Sequence, residues 1–76
     1  MMNLKDAKMC STVKVTGIGA NGELKRRLLD LGIIEGTNIE VLYKGAFGDP
    51  IAYLIRGAII AIRSEDGAKI QVVSCS

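Results

Sequence analysis

The chain has 76 residues, with ten basic and eight acidic side chains for a formal charge of +2, and it contains no histidine and no tryptophan. A chain this short forms one domain, 1–76, burying only about 60% of the surface it exposes unfolded, so nearly all its Val, Ile and Leu must point inward. That leaves no room for a deep catalytic pocket, and without histidine no Ser/His or Cys/His nucleophile can be assembled.

Residues 3–9 form a polar lead-in with Leu4, Ala7 and Met9 as core anchors. Thr12-Val13-Lys14-Val15-Thr16 alternates apolar and polar side chains, the period of a half-buried strand, and Gly17, Gly19 and Gly22 then break it. From Asn21 to Leu31 the period becomes helical. Leu24, Leu28 and Leu31 fall at i, i+4 and i+7 and make one apolar stripe for the core. Asn21 is the expected N-cap, Glu23 suits the positive end of the helix dipole, and Gly32 supplies the left-handed residue that stops the helix. Arg26 and Asp30 have the i, i+4 spacing of a surface ion pair.

A second strand runs from Asn38 to Tyr43, with Ile39, Val41 and Tyr43 on one face and Leu42 on the other. The Gly45-to-Pro50 loop follows. A third strand over 51–55 and a fourth over 58–62 turn about Gly57 as a hairpin, because the runs are too short for a crossover. Ser64-Glu65-Asp66-Gly67 makes a turn or a single helical turn, and 69–73 is the last strand. The fold class is therefore all-β: a small SH3-like barrel of about five strands, with one helix inserted after the first.

No segment carries the charged start and apolar run of a signal peptide, and no stretch approaches the roughly 18 apolar residues of a membrane span. The expected compartment is the cytoplasm, where Cys10 and Cys75 stay reduced. Those two cysteines bracket the first and last strands, which pair in such a barrel, so they fall at one rim. Gly17-x-Gly19-x-x-Gly22 matches a dinucleotide fingerprint in letters only, since the chain cannot supply the βαβ unit of about 30 residues that the motif needs.

In sequence order, Gly17-Ile18-Gly19, the helical Arg26-Arg27-Leu28, Leu31-Gly32-Ile33, Gly36-Thr37, Phe47-Gly48-Asp49-Pro50-Ile51, Arg56-Gly57, Ile60-Ala61-Ile62-Arg63 and Ile70-Gln71-Val72 resemble the FeoA family. These are small bacterial accessory proteins of ferrous iron transport, and the same module ends the iron-dependent repressors. The resemblance spans about residues 4–73 and departs from the family pattern at Ser64-Glu65-Asp66-Gly67. It implies an SH3-like fold and a cytoplasmic, non-enzymatic role in contact with the cytosolic GTPase region of a FeoB-like transporter. From the residues themselves, neither nucleic acid binding nor membrane insertion is expected, and the open edges of a small barrel fit a monomer or weak homodimer.

The candidate partner-binding residues are Lys25, Arg26, Arg27, Phe47 and Asp49. Two readings stand for each. The basic run either docks on an acidic partner or is a solvated helix face. Phe47 is either an exposed anchor or a plug for one barrel end, and Asp49 before Pro50 is a turn-former before it is a ligand. No metal site is expected. A ferrous site draws on histidine with carboxylates, so only a transient Fe²⁺ association through Asp49, Glu65 or Asp66 is left. The alternatives from other classes are a small nucleic-acid-binding barrel and a metal-responsive regulatory barrel. Near-neutral charge and scarce aromatics weigh against the first.

Overall fold

Six antiparallel strands in the order β1-β6-β2-β3-β4-β5 make one sheet. A computed structural model of the chain describes residues 2–75. The strands are β1 (Met2–Asn3), β2 (Thr12–Ile18), β3 (Asn38–Lys44), β4 (Ile51–Ile55), β5 (Ala58–Ile62) and β6 (Ile70–Ser74). Helix α1 (Gly22–Asp30) sits between β2 and β3, and a single helical turn, α2 (Ser64–Gly67), between β5 and β6. The five longer strands lie where alternation and turn residues put them.

The sixth strand, β1, is only two residues long. It pairs with β6, Met2 against Val72 and Asn3 against Gln71. A 3₁₀ turn over Leu4–Asp6 follows, held by the Asn3 side chain accepting from the Asp6 N–H at 3.2 Å. This turn drives Leu4 fully into the core and puts Ala7 there too. The helix therefore follows the second strand, and the lead-in is itself structured. Met9 is not a core anchor: it is exposed, in the turn that carries the chain to β2.

The core is the set of inward residues that period-two alternation predicts: Val13 and Val15 from β2, Ile39 and Val41 from β3, Ile55 from β4, Ile70 and Val72 from β6. Tyr53 joins them, almost wholly buried, with its hydroxyl 3.4 Å from the Leu4 carbonyl oxygen. The alternation fails at one place. Register shifts between Val41 and Tyr43, so Val41 faces Tyr53 whereas Tyr43 faces Ala52. That bulge turns Tyr43 out of the barrel to 59% exposure and leaves Leu42 half-buried.

Helix α1 ends as a Schellman motif. The Ile33 N–H donates to the Leu28 carbonyl and the Gly32 N–H to the Leu29 carbonyl, both at 2.9 Å. Gly32 has φ +86°, a conformation that glycine reaches without Cβ strain. The motif folds Ile33 back so that it and Leu28 are buried together. Asn21 is the N-cap residue by position, but its side chain makes no capping bond. The expected Leu24–Leu28–Leu31 stripe is corrected at its ends. Only Leu28 is buried, because α1 stands away from β5 and leaves Leu24 half-buried and Leu31 exposed along the intervening groove.

Candidate functional site

Among the described residues the one ion pair is Arg27 to Asp66, 2.9 Å between Nη2 and Oδ2. It replaces the expected Arg26–Asp30 pair. Asp66 lies on α2, where it is largely shielded, and its carboxylate draws Arg27 across from α1. A second carboxylate grips the same short helix at its first residue. Asp49 Oδ1 accepts the Ser64 N–H at 2.7 Å and the Ser64 hydroxyl at 3.1 Å. Ser64 is the first residue of α2, and its N–H is one of the donors that a helix start leaves open. Asp49 thus supplies the cap that the N-cap residue, Arg63, does not provide with its own side chain.

The 45–50 loop is closed by its own backbone. The Gly45 N–H donates to the Pro50 carbonyl at 2.8 Å and the Gly48 N–H to the Gly45 carbonyl at 2.9 Å. At its tip Phe47 is 98% exposed. Of the two readings open from the sequence, the plug is overturned: a ring this exposed fills no barrel end. A phenyl ring so placed gains nothing from burial within its own chain.

Lys25 and Arg26 are exposed on α1. Lys25 borders a shallow depression of about 290 Å³ with Ile18, Leu29, Ile34 and Glu35. That depression is distinct from the groove of about 760 Å³ that Arg27 lines with Leu24, Leu31, Ile60, Arg63 and Glu65. The fold therefore ties both Arg27 and Asp49 to α2, the first through Asp66 and the second through Ser64, and sets Lys25 apart. Sequence reasoning missed the groove itself. Its one advance signal was that Leu24 and Leu31 stand at the two ends of a short helix.

Two carboxylates named as transient iron contacts, Asp49 and Asp66, each spend an oxygen on a bond within the protein. No three Cys, Asp or Glu residues among those described are grouped to hold a metal ion. Cys10 and Cys75 are exposed free thiols. The Cys10 N–H donates to Val41 on β3 and the Cys75 N–H to Thr12 on β2, so each is tied to a different strand. No described helix is long and apolar enough to cross a membrane.

Asp49 also acts on Tyr53. Burial first, and the Asp49 charge second, push the Tyr53 hydroxyl up from 10.0 to about 12. Because the folded value lies above the unfolded one, the stability that the protonated phenol contributes is full below pH 10.0 and is lost as pH climbs toward about 12. Wild type is therefore expected to lose about 2 kcal/mol more over that interval than Tyr53→Phe, read from urea midpoints at each pH. Asp49→Ala should remove the α2 cap, costing about 1 kcal/mol, and should bring the Tyr53 titration down, read by ultraviolet difference absorbance.

The comparisons with known proteins agree with this architecture. The FeoA domain model matches residues 2–74. Over 71 residues the chain is 28% identical to the "Fe(2+) transport protein A/Fe(2+) transporter FeoB fusion protein" of Porphyromonas gingivalis. That match takes in 93% of this chain but only 8% of the relative's length. The FeoA protein of Chlorobium tepidum superposes with a TM-score of 0.92 at 31% identity, covering 99% of this chain and 71% of that one. The zinc-bound FeoA of Stenotrophomonas maltophilia, described as an SH3 domain protein, gives a TM-score of 0.84 at 23% identity over 96% and 91% of the two chains. With the barrel, its inserted helix and a family match over nearly its whole length, the chain belongs to the FeoA family.

Proposed function

We propose that this domain is a non-enzymatic accessory of ferrous iron transport that works by contacting the cytosolic GTPase region of a FeoB-like transporter. The observation that carries the reading is the Porphyromonas relative, whose description joins an FeoA part and a FeoB transporter in one polypeptide. A domain fused to a transporter works at high effective concentration beside it. The face suited to this is the one around α2, which binds Arg27 from α1 and Asp49 from the loop whose tip is the exposed Phe47. A bare aromatic on a braced loop matches the anchors that dominate protein interfaces, and the neighbouring charges set its orientation.

The test is a titration of the ¹⁵N-labelled protein with the cytosolic GTPase region of a FeoB-like transporter, followed by amide shifts. Shifts gathered on 21–37, 45–50 and 64–67 are expected. A folded sample that shows no shifts at saturating partner overturns the reading.

A further inference from the structure

Strand β5 ends the sheet with Ala58-Ile59-Ile60-Ala61-Ile62, a run with neither the charge nor the proline that ordinarily blunts an exposed edge. The opposite end of the sheet, β1, is two residues long and is blunted by its shortness. The free groups of β5 follow from its hairpin. Arg56 and Gly57, at φ +51° and +84°, form a two-residue loop between Ile55 and Ala58. In such a hairpin the flanking pair is hydrogen-bonded and the bonded pairs then alternate. Ala58, Ile60 and Ile62 thus bond to β4, which leaves the N–H and C=O groups of Ile59 and Ala61 pointing off the sheet. No described backbone bond outside the sheet engages either residue. The Ile59 side chain is also 65% exposed.

We propose that β5 is the seat of a symmetric homodimer, in which β5 of a second copy adds antiparallel and makes the two sheets continuous. The inference concerns this chain's own assembly and does not depend on the accessory reading. Three properties of the strand name its own copy as the occupant. The first is hydrogen bonding. A two-fold axis at Ile60 sets Ile59 of each chain opposite Ala61 of the other. These are the residues whose N–H and C=O groups are free, so about four bonds close across the axis. The second is size. Ile59 and Ala61 share a face, so a large side chain lies beside a small one at both places. Between them the two half-buried Ile60 side chains meet as a non-hydrogen-bonded pair, where cross-strand neighbours come closest. The third is charge. The groove along β5 gathers three carboxylates, Glu23, Glu65 and Asp66, against two guanidiniums, Arg27 and Arg63, an excess of one negative charge. Arg56 has no ion-pair partner among the described residues of its own chain. In the two-fold register it falls opposite Ser64 of the second copy, next to Glu65, and offsets that excess at both ends. Arg63 falls opposite Gly57, which has no side chain to oppose it. One short strand per chain buries less than the roughly 1,200 Å² of a stable specific interface, so the dimer is a concentration-dependent one.

The experiment is sedimentation equilibrium of the full, reduced chain at low salt, from about 20 µM to about 1 mM. The mean mass is expected to rise from that of one chain toward that of two. Ala61→Pro removes an N–H that β4 does not use and that edge positions tolerate losing. It should weaken dimerisation at least tenfold, because each copy loses a donor to the other. Ile59→Lys, a change at an exposed side chain, should do the same and serves if the proline variant does not fold. Glu65→Lys, which sets like charge beside each Arg56, should weaken it at least threefold. The register has its own test in a Cys10→Ser, Cys75→Ser background. Ile60→Cys should cross-link to its own copy under diamide, since the axis brings those Cα atoms to about 4.5 Å. Val73→Cys, exposed on β6 inside the sheet, should not. A chain that stays monomeric to about 1 mM overturns the proposal. So does a dimer that the folded Ala61→Pro and Ile59→Lys variants leave unchanged.

Discussion

Leu28→Glu is expected to leave the chain unfolded, with random-coil circular dichroism and collapsed amide dispersion. Leu28 is 1% exposed and belongs to the same cluster as Ile33 and the β2, β3 and β6 side chains. A carboxylate there would have to stay neutral or sit unpaired in an apolar core, and either outcome costs several kcal/mol. A domain of this length has about 4–11 kcal/mol in all. Ile33, which the Schellman turn folds back into the same core cluster, would lose its packing partner as well. Leu28→Ala, which adds no charge, should fold with a loss of about 3 kcal/mol in urea denaturation. A stably folded Leu28→Glu protein would mean that α1 does not pack as described.

Phe47→Ala should have the opposite signature. The ring touches water on nearly every side, so its removal should change stability by no more than about 0.5 kcal/mol. If it anchors the transporter contact, truncation should cost about 2 kcal/mol of binding, roughly a 30-fold rise in Kd. Calorimetric titration against the GTPase region, with melting curves of both proteins, separates the two quantities. Unchanged affinity would remove Phe47 from the interface, and a lowered Tm would show that the ring packs within the fold after all.

Local signals were legible in the sequence. The end of α1 was, because a Schellman turn needs only Gly32 and the apolar residues on either side of it. The β4–β5 hairpin was as well, since two short apolar runs around Gly57 have no other way to connect. Non-local signals were not. β1 is two residues whose partner lies in β6, at the far end of the chain, and no periodicity can be read from two residues. The bulge at Leu42 is a property of how β3 meets β4, so Tyr43 looked like a core residue in a strand considered alone. At the candidate site, the charged residues were identified but their engagement was not. Arg27 finds Asp66 39 positions away, and Asp49 finds Ser64 15 away. The exposure of Phe47 likewise depended on how the 45–50 loop closes on itself, through the Gly45-to-Pro50 and Gly48-to-Gly45 backbone bonds.

The bonds on either side of α2 have a consequence for how tightly this domain can hold anything. Helix α1, the Phe47 loop and α2 are three segments distant in sequence, and each alone would sample many orientations. Asp49 fastens the loop to the first residue of α2, and Asp66 fastens α2 to α1. Contact with a partner therefore meets three surfaces already fixed relative to one another, and the ordering entropy that flexible loops surrender on association has been given up during folding instead.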